Sequence, residues 1–296
     1  MKGDVHMRIV RDLFALLRID HWTKNIFIFA ALLFSQKLYE RQPLLISVTA
    51  FFAFCFVASS IYIINDIHDA HLDRLHPKKS CRPIAAGRVS RALALVTAAI
   101  FFTGGMVIGA MVQPSFFTIL LSYFVLNLFY TYMGKKLVII DAFCIAAGFV
   151  LRVVGGALAI SVQPSGWIMM TTFFLALFLG FGKRRNEMLA PSETESLQRK
   201  TPIRYDAEYA NHILISCGTI SLLSYALYTR DPSVIQRIGT PTLIYTVPLV
   251  AYGFFRYVYL LWNGSNGDPT DLILHDWSML IDITLWVVAV VLLIYI

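Results

Sequence analysis

Apolar runs of roughly 18 to 22 residues recur from one end of this chain to the other, each long enough to cross a hydrocarbon core. In lipid only helices or closed barrels satisfy every backbone group. These runs are continuous and lack the apolar–polar alternation of barrel strands. The chain therefore reads as all-α, a polytopic helical membrane protein. Composition agrees: 57% of the 296 residues are hydrophobic, only 15% are charged, and the mean hydropathy is +0.66. A soluble domain carries about a quarter charged residues. One domain over residues 1–296 is expected, with neither a strong internal repeat nor a low-complexity tract. The N-terminus is polar, so no cleavable signal peptide is expected. Cys55, Cys144 and Cys217 lie inside apolar runs and Cys81 in a polar loop, so no disulfide framework is read.

Nine spans fit the pattern: 21–38, 43–64, 90–112, 115–133, 138–160, 165–182, 210–229, 240–262 and 277–296. The polar segments then fall into two sets. One set, with the N-terminus, 65–89, 134–137, 183–209 and 263–276, holds most of the cations, from Lys2 to Arg204. The other holds only Lys37, Arg41, Arg230 and Arg237. Excess Lys and Arg marks the cytoplasmic face. This predicts a multi-pass protein of the inner (plasma) membrane, with a cytoplasmic N-terminus and two long cytoplasmic loops capping a cavity.

The most informative polar segment is NDIHDAHLDRLHPKKSCRP, Asn65 to Pro83. No Gly or Pro appears before Pro77, so the helix of the second span can run on past Ile64. Asn65, Asp69 and Asp73 then share one face, with Asp66 beside them. Three carboxylates and an amide oxygen make a hard oxygen site, and Mg²⁺ suits it, because that ion leaves coordination positions for substrate phosphates. Lys78, Lys79 and Arg82 follow and can meet phosphates directly. The plain alternative is a solvated helix end with snorkelling charges, but acids crowded on one face repel each other unless a cation joins them. His68 and His71 lack a third ligand at zinc spacing and read as loop residues.

NDIHDAHLD fits NDxxDxxxD, the first acidic motif of the UbiA-type intramembrane prenyltransferase superfamily, and the nine-span layout resembles that fold. The loop after the sixth span opens GKRRNE, without the second DxxxD of the aromatic prenyltransferases. RIDHWTKNIFIFAALLFS, NDIHDAHLDRLHPKKSCRPIAAG, YTYMGKKLVIIDAFCIAAGFVLRVVGGALA and FLGFGKRRNE resemble the decaprenyl-phosphate phosphoribosyltransferase branch over nearly the whole chain. Ile19 departs from that branch, which tends to have Pro there. The resemblance implies an Mg²⁺-dependent enzyme joining phosphoribosyl pyrophosphate to a polyprenyl (decaprenyl) phosphate, toward lipid-linked arabinose for cell-wall polymers. It implies Asn65, Asp66, Asp69 and Asp73 as metal ligands, with the three aspartates catalytic together with Asp141. It places Lys24, Asn65, Lys78, Arg82, Tyr130, Lys135, Lys183 and Arg184 on substrates. Tyr132 and Lys136 compete with Tyr130 and Lys135 for those two roles.

Other residues can be argued directly. Asp141 and Arg152 lie inside an apolar run, eleven residues apart and so on one helix face. Intramembrane ionisable groups are functional candidates by default, with a structural pair as the alternative. Gly148, Gly155 and Gly156 read as packing positions. Asp268, Asp271 and Asp276 lie on the same side as the first motif, either closing over substrate or ending in a helix cap. Asp282, inside the last span, has no assigned role. The main rival function is prenyl transfer from a diphosphate to an aromatic acceptor. A transporter would place ionisable groups near the midplane within a symmetric pair of repeats, and a pure membrane anchor would not need these acids and bases. No nucleic-acid partner is expected, and a homo-oligomeric state stays open.

Overall fold

The computed structural model describes residues 11–77, 79–189, 206–263 and 269–296. Lys78, Asp268, most of the loop 183–209 and the side chain of Asp271 fall outside what is described, and with them the expectations placed there. The regular structure among the described residues is helical, with no strand. A 3-10 helix, Ile19–Phe29, runs into α1, Ala30–Phe34. Then come α2 (Arg41–Asp73), α3 (Arg91–Val112), α4 (Pro114–Tyr132), α5 (Ile140–Ala159) and α6 (Gly166–Leu189). They are followed by α7 (Ala207–Arg230), α8 (Pro232–Ile238), α9 (Val247–Trp262), α10 (Pro269–His275) and α11 (Trp277–Tyr295).

Among the described residues, 8 helices are long and apolar enough to cross a membrane. They correspond in order to the second through ninth expected spans. The first expected span, 21–38, takes another form. Its chain is wound as 3-10 from Ile19 to Phe29 and breaks at Gln36, which has φ 61. A 3-10 helix rises about 2.0 Å per residue against about 1.5 Å for an α-helix, so these two short pieces together still measure about 30 Å. That is the thickness of a hydrocarbon core.

So long a 3-10 run is unusual and needs support from outside itself. Asn25 and Ile28 are buried against α5 and α2, and a Cβ at Gly156 would overlap the Ile28 carbonyl. Gly156 thus lets the 3-10 segment lie directly on α5, while a Cβ at Gly155 would meet Phe54 of α2. At its end the Gln36 amide donates to the carbonyls of Ile238 (3.0 Å) and Ile294 (3.1 Å).

Helices α2 and α5 are the inner members of the bundle: 56% of each apolar stretch is buried, against 22% in α3, α4 and α11. One apolar core joins α2, α3 and α4 around Phe54, Phe116 and Leu120. A second joins α5, α6, α7 and α9 around Phe178, Phe181 and Tyr257. Large side chains such as Ile100, Val107 and Met111 point outward and exposed, as expected where lipid is the solvent.

The connection after α2 is packed rather than loose. Ile84 and Val89 are buried with Leu16, Ile63 and Ala94 in a core of their own. Arg74 donates to the Ala85 carbonyl, and Arg88 bonds both Asp12 and the Cys81 carbonyl. This packing carries Arg82 back over the end of α2.

Candidate functional site

Helix α2 continues without interruption to Asp73, as the missing Gly and Pro predicted. Its last turns therefore carry three carboxylates at a helix C-terminus, where the backbone dipole is also negative. Like charges are held there by cations from three other parts of the chain. Arg18, just before the 3-10 helix, donates to Oδ1 of Asp66 at 2.5 Å. Arg82 bridges Asp66 (3.1 Å) and Asp73 (2.7 Å) through one Nη1. Lys135, from the α4–α5 connection, donates to Asp69 at 2.6 Å. Asp66 and Asp73 are buried, and Asp69 is half-buried.

Beside this cluster stands a second pair. Asp141, in the first turn of α5, accepts two hydrogen bonds from the Arg184 guanidinium of α6, Nη1 to Oδ1 at 2.8 Å and Nη2 to Oδ2. Tyr130 is half-buried in the last turn of α4, at the same end of the bundle. The structure thus brings Asp66, Asp69, Asp73, Arg82, Tyr130, Lys135, Asp141 and Arg184 to one end of the bundle. Tyr132 is instead exposed and packs edge-on against His68, with ring centroids 4.9 Å apart. Lys136 is exposed. Lys24 and Lys183 are half-buried, on the 3-10 segment and on α6.

The donor set has the chemistry of a hard cation. No three His, Cys, Asp or Glu residues among those described form a ready-made metal cage. An ion such as Mg²⁺ needs only one or two carboxylates when substrate phosphates complete its shell. Asn65 offers a further oxygen: its Oδ1 is buried and has no hydrogen-bond partner among the described residues. A buried acceptor left unpaired costs about 1–3 kcal/mol, so this oxygen is suited to an added ligand. Asn65 Oδ1 together with one or two of the neighbouring carboxylates therefore fits such an ion.

Several charged residues are accounted for structurally. Arg152 does not reach Asp141, although both lie on α5. Its guanidinium donates to Asn25 Oδ1 (2.7 Å), Tyr123 Oη (2.7 Å) and the Gly148 carbonyl (2.9 Å), and lies over the Tyr123 ring. It fastens the 3-10 segment to α4 and α5. Arg185 donates to the Leu261 carbonyl at the C-terminal end of α9 and covers Trp262. Asp276 caps α11 through the Met279 amide (2.9 Å) and pairs with Arg256 (2.7 Å). The Arg256 guanidinium holds the Asp276 carboxyl below the usual carboxylate range. Asp282 is buried against Gly253 of α9.

Sequence reasoning missed Arg18 as a site residue, because a single arginine before a span reads as interfacial charge. Its left-handed backbone (φ 48, ψ 57) has no sequence signal in a residue other than Gly or Asn.

Comparison with known proteins places this arrangement in context. Residues 25–281 match the UbiA prenyltransferase family. The "Decaprenyl-phosphate phosphoribosyltransferase" of Corynebacterium glutamicum is 30% identical over 286 residues, which is 95% of this chain and 86% of that protein. The protein of the same name from Mycolicibacterium smegmatis is 28% identical, over 94% of this chain and 91% of its own. Among solved structures, a UbiA homologue from Archaeoglobus fulgidus bound to GPP and Mg²⁺ superposes with a TM-score of 0.72. The sequences are 18% identical, and the match covers 96% of this chain and 100% of that one. That likeness shows a shared fold.

Proposed function

The chain belongs to the UbiA prenyltransferase family, and on that premise we propose that it transfers the 5-phosphoribosyl group of phosphoribosyl pyrophosphate to a polyprenyl phosphate, decaprenyl phosphate in the first instance. The observation that carries this reading is the convergence of Arg18, Arg82 and Lys135 on the three aspartates of α2, with Arg184 close by. Such a site meets more than one phosphate group. The relatives named for this activity align along almost the whole chain, which supports the same choice.

In the proposed reaction the bond between C1 of the ribose and the pyrophosphate oxygen breaks, and its electron pair leaves with pyrophosphate. A phosphate oxygen of the lipid forms the new bond to C1 from the opposite face. The acceptor is already anionic, so no side chain has to remove a proton. Asn65, Asp66, Asp69 and Asp73 would hold Mg²⁺, whose chemistry is to neutralise charge developing on the leaving group. Arg82, Lys135 and Lys78 would bind the pyrophosphate oxygens. Cations fixed in place before the reaction lower its barrier because they need not reorganise. Lys183 and Arg184 would anchor the 5-phosphate, with Asp141 orienting the Arg184 fork, and Tyr130 and Lys24 would line the substrate path. The excess of Lys and Arg supports a cytoplasmic position for this end of the bundle. There a soluble phosphorylated sugar and a lipid phosphate can meet.

The test is a product assay on protein purified in detergent with Mg²⁺. One reaction holds phosphoribosyl pyrophosphate and decaprenyl phosphate, and the other a prenyl diphosphate and 4-hydroxybenzoate. A phosphoribosyl lipid in the first alone is the expected result. A prenylated aromatic in the second would overturn the donor assignment and leave the family in place.

A further inference from the structure

Asp66 is nearly fully buried at 3% exposure, yet a single oxygen of it receives two guanidinium groups, from Arg18 at 2.5 Å and Arg82 at 3.1 Å. Two like charges on one oxygen repel each other. Arg82 also has Asp73 as a partner, whereas Asp66 is the carboxylate that Arg18 reaches.

The backbone at Arg18 is held by contacts other than that carboxylate. The carbonyl of Leu17, its neighbour, accepts from Ser59 Oγ (2.8 Å), which in turn accepts from Trp22 Nε1 (3.0 Å). The Arg18 carbonyl accepts from the His21 amide (2.9 Å). Its side chain lies over the Tyr62 ring, 5.3 Å from the centroid. The backbone is left-handed at this residue, a conformation that costs a non-glycine residue about 1–3 kcal/mol and is sustained by its surroundings. The neighbouring structure therefore holds the Arg18 backbone at the head of the acidic face, while its long side chain is free to exchange Asp66 for another anion.

We propose that Arg18 is a phosphate-binding residue of the diphosphate subsite, held on Asp66 until a divalent ion takes that carboxylate. The inference rests on the metal–diphosphate reading above. Taken together, Arg18, Arg82 and Lys135 balance the charges of Asp66, Asp69 and Asp73. An ion arriving alone must displace the Arg18 guanidinium from Asp66 and leave it without a counter-charge. An ion arriving with a diphosphate gives the displaced guanidinium an oxygen to bind, and a fork-shaped donor suits phosphate. Ion and diphosphate therefore bind as a pair, and the ion alone binds weakly.

The experiment measures Mn²⁺ binding to the purified full-length protein by paramagnetic resonance, with and without inorganic pyrophosphate. Arg18→Gln is expected to tighten binding of Mn²⁺ alone about tenfold and to weaken binding of the Mn²⁺–pyrophosphate pair about tenfold, as fits loss of a charge-assisted contact. Arg18→Lys keeps the charge and loses the fork. It is expected to leave Mn²⁺ alone within about twofold of wild type and to weaken the pair about threefold. Arg91→Gln, at an exposed position on α3, is the control and should match wild type.

If wild type binds the pair and both Arg18 variants behave as wild type, the Arg18 inference falls and the metal–diphosphate reading stands. If wild type does not bind Mn²⁺ with pyrophosphate, the underlying reading fails and takes this inference with it. Should Arg18→Gln not fold, an unchanged pair affinity in Arg18→Lys is sufficient to overturn the proposal.

Discussion

The Lys135 ammonium lies 2.6 Å from Oδ1 of Asp69, across 66 positions of sequence. The contact ties the α4–α5 connection to the middle acid of α2. It also separates two neighbouring lysines: Lys135 faces the acids, and Lys136 faces outward. Lys135→Met should lower turnover about 100- to 1000-fold if its cation acts on departing pyrophosphate. Lys136→Met should stay within about twofold of wild type, as surface changes usually do. Initial rates at saturating donor decide it, and equal effects of the two substitutions would remove Lys135 from the site.

Asp69→Asn and Asp73→Asn each remove one negative charge while keeping shape. Loss of an ion-holding carboxylate should cost at least about 100-fold in turnover, with an unchanged elution profile on size-exclusion chromatography. Near wild-type rates in both would sink the metal-site assignment. Adding a chelator should abolish wild-type turnover, and returning Mg²⁺ should restore it.

The Asp141–Arg184 pair is little exposed, at 14% and 10% for the two side chains. Removing one partner of such a pair leaves an uncompensated charge, at a cost of about 3 kcal/mol. Asp141→Asn and Arg184→Gln should each lower the thermal midpoint. The double variant should lose less than the sum of the two, with a coupling of about 1–3 kcal/mol. Additive losses would mean that the two groups do not interact.

Asp276 tests the electrostatics of the α11 start. Asn caps a helix about as well as Asp, so Asp276→Asn isolates the carboxylate charge paired with Arg256. A carboxyl held below its usual pKa contributes stability above the ordinary value and loses it as pH falls through the lowered one. The variant should therefore melt below wild type at pH 7. The gap should close as pH drops beneath about 3.9. A gap of constant size across that range would show that the ion pair contributes nothing.

The parts of this architecture that depend on periodicity and length were legible in the sequence. Among the described residues, eight helices stand where apolar runs predicted them, and α2 runs to Asp73 because nothing in its sequence stops it. The shared face of Asn65, Asp69 and Asp73, with Asp66 beside it, followed from helical spacing alone. The 3-10 winding of Ile19–Phe29 was not legible, because it is imposed from outside by Gly156 and by the Asn25–Arg152 bond. Nor could spacing show that Asp141 meets Arg184 rather than Arg152, since that choice is made by the packing of α5 on α6. Arg18 was missed for the same reason: its partner lies 48 positions away.

Helix α2 has 33 residues, about 50 Å at 1.5 Å per residue. A hydrocarbon layer takes up only about 30 Å of that. The acids from Asp66 to Asp73 thus sit on a rigid post whose height above the lipid is set by where the apolar run 43–64 comes to rest. A thicker bilayer would lower that post relative to the headgroups, and a thinner one would raise it, each against a modest mismatch energy. The depth at which a lipid-borne phosphate meets these carboxylates is accordingly a property of the membrane as well as of the chain. Acyl-chain length is therefore a physical variable that acts on the site without touching any residue in it.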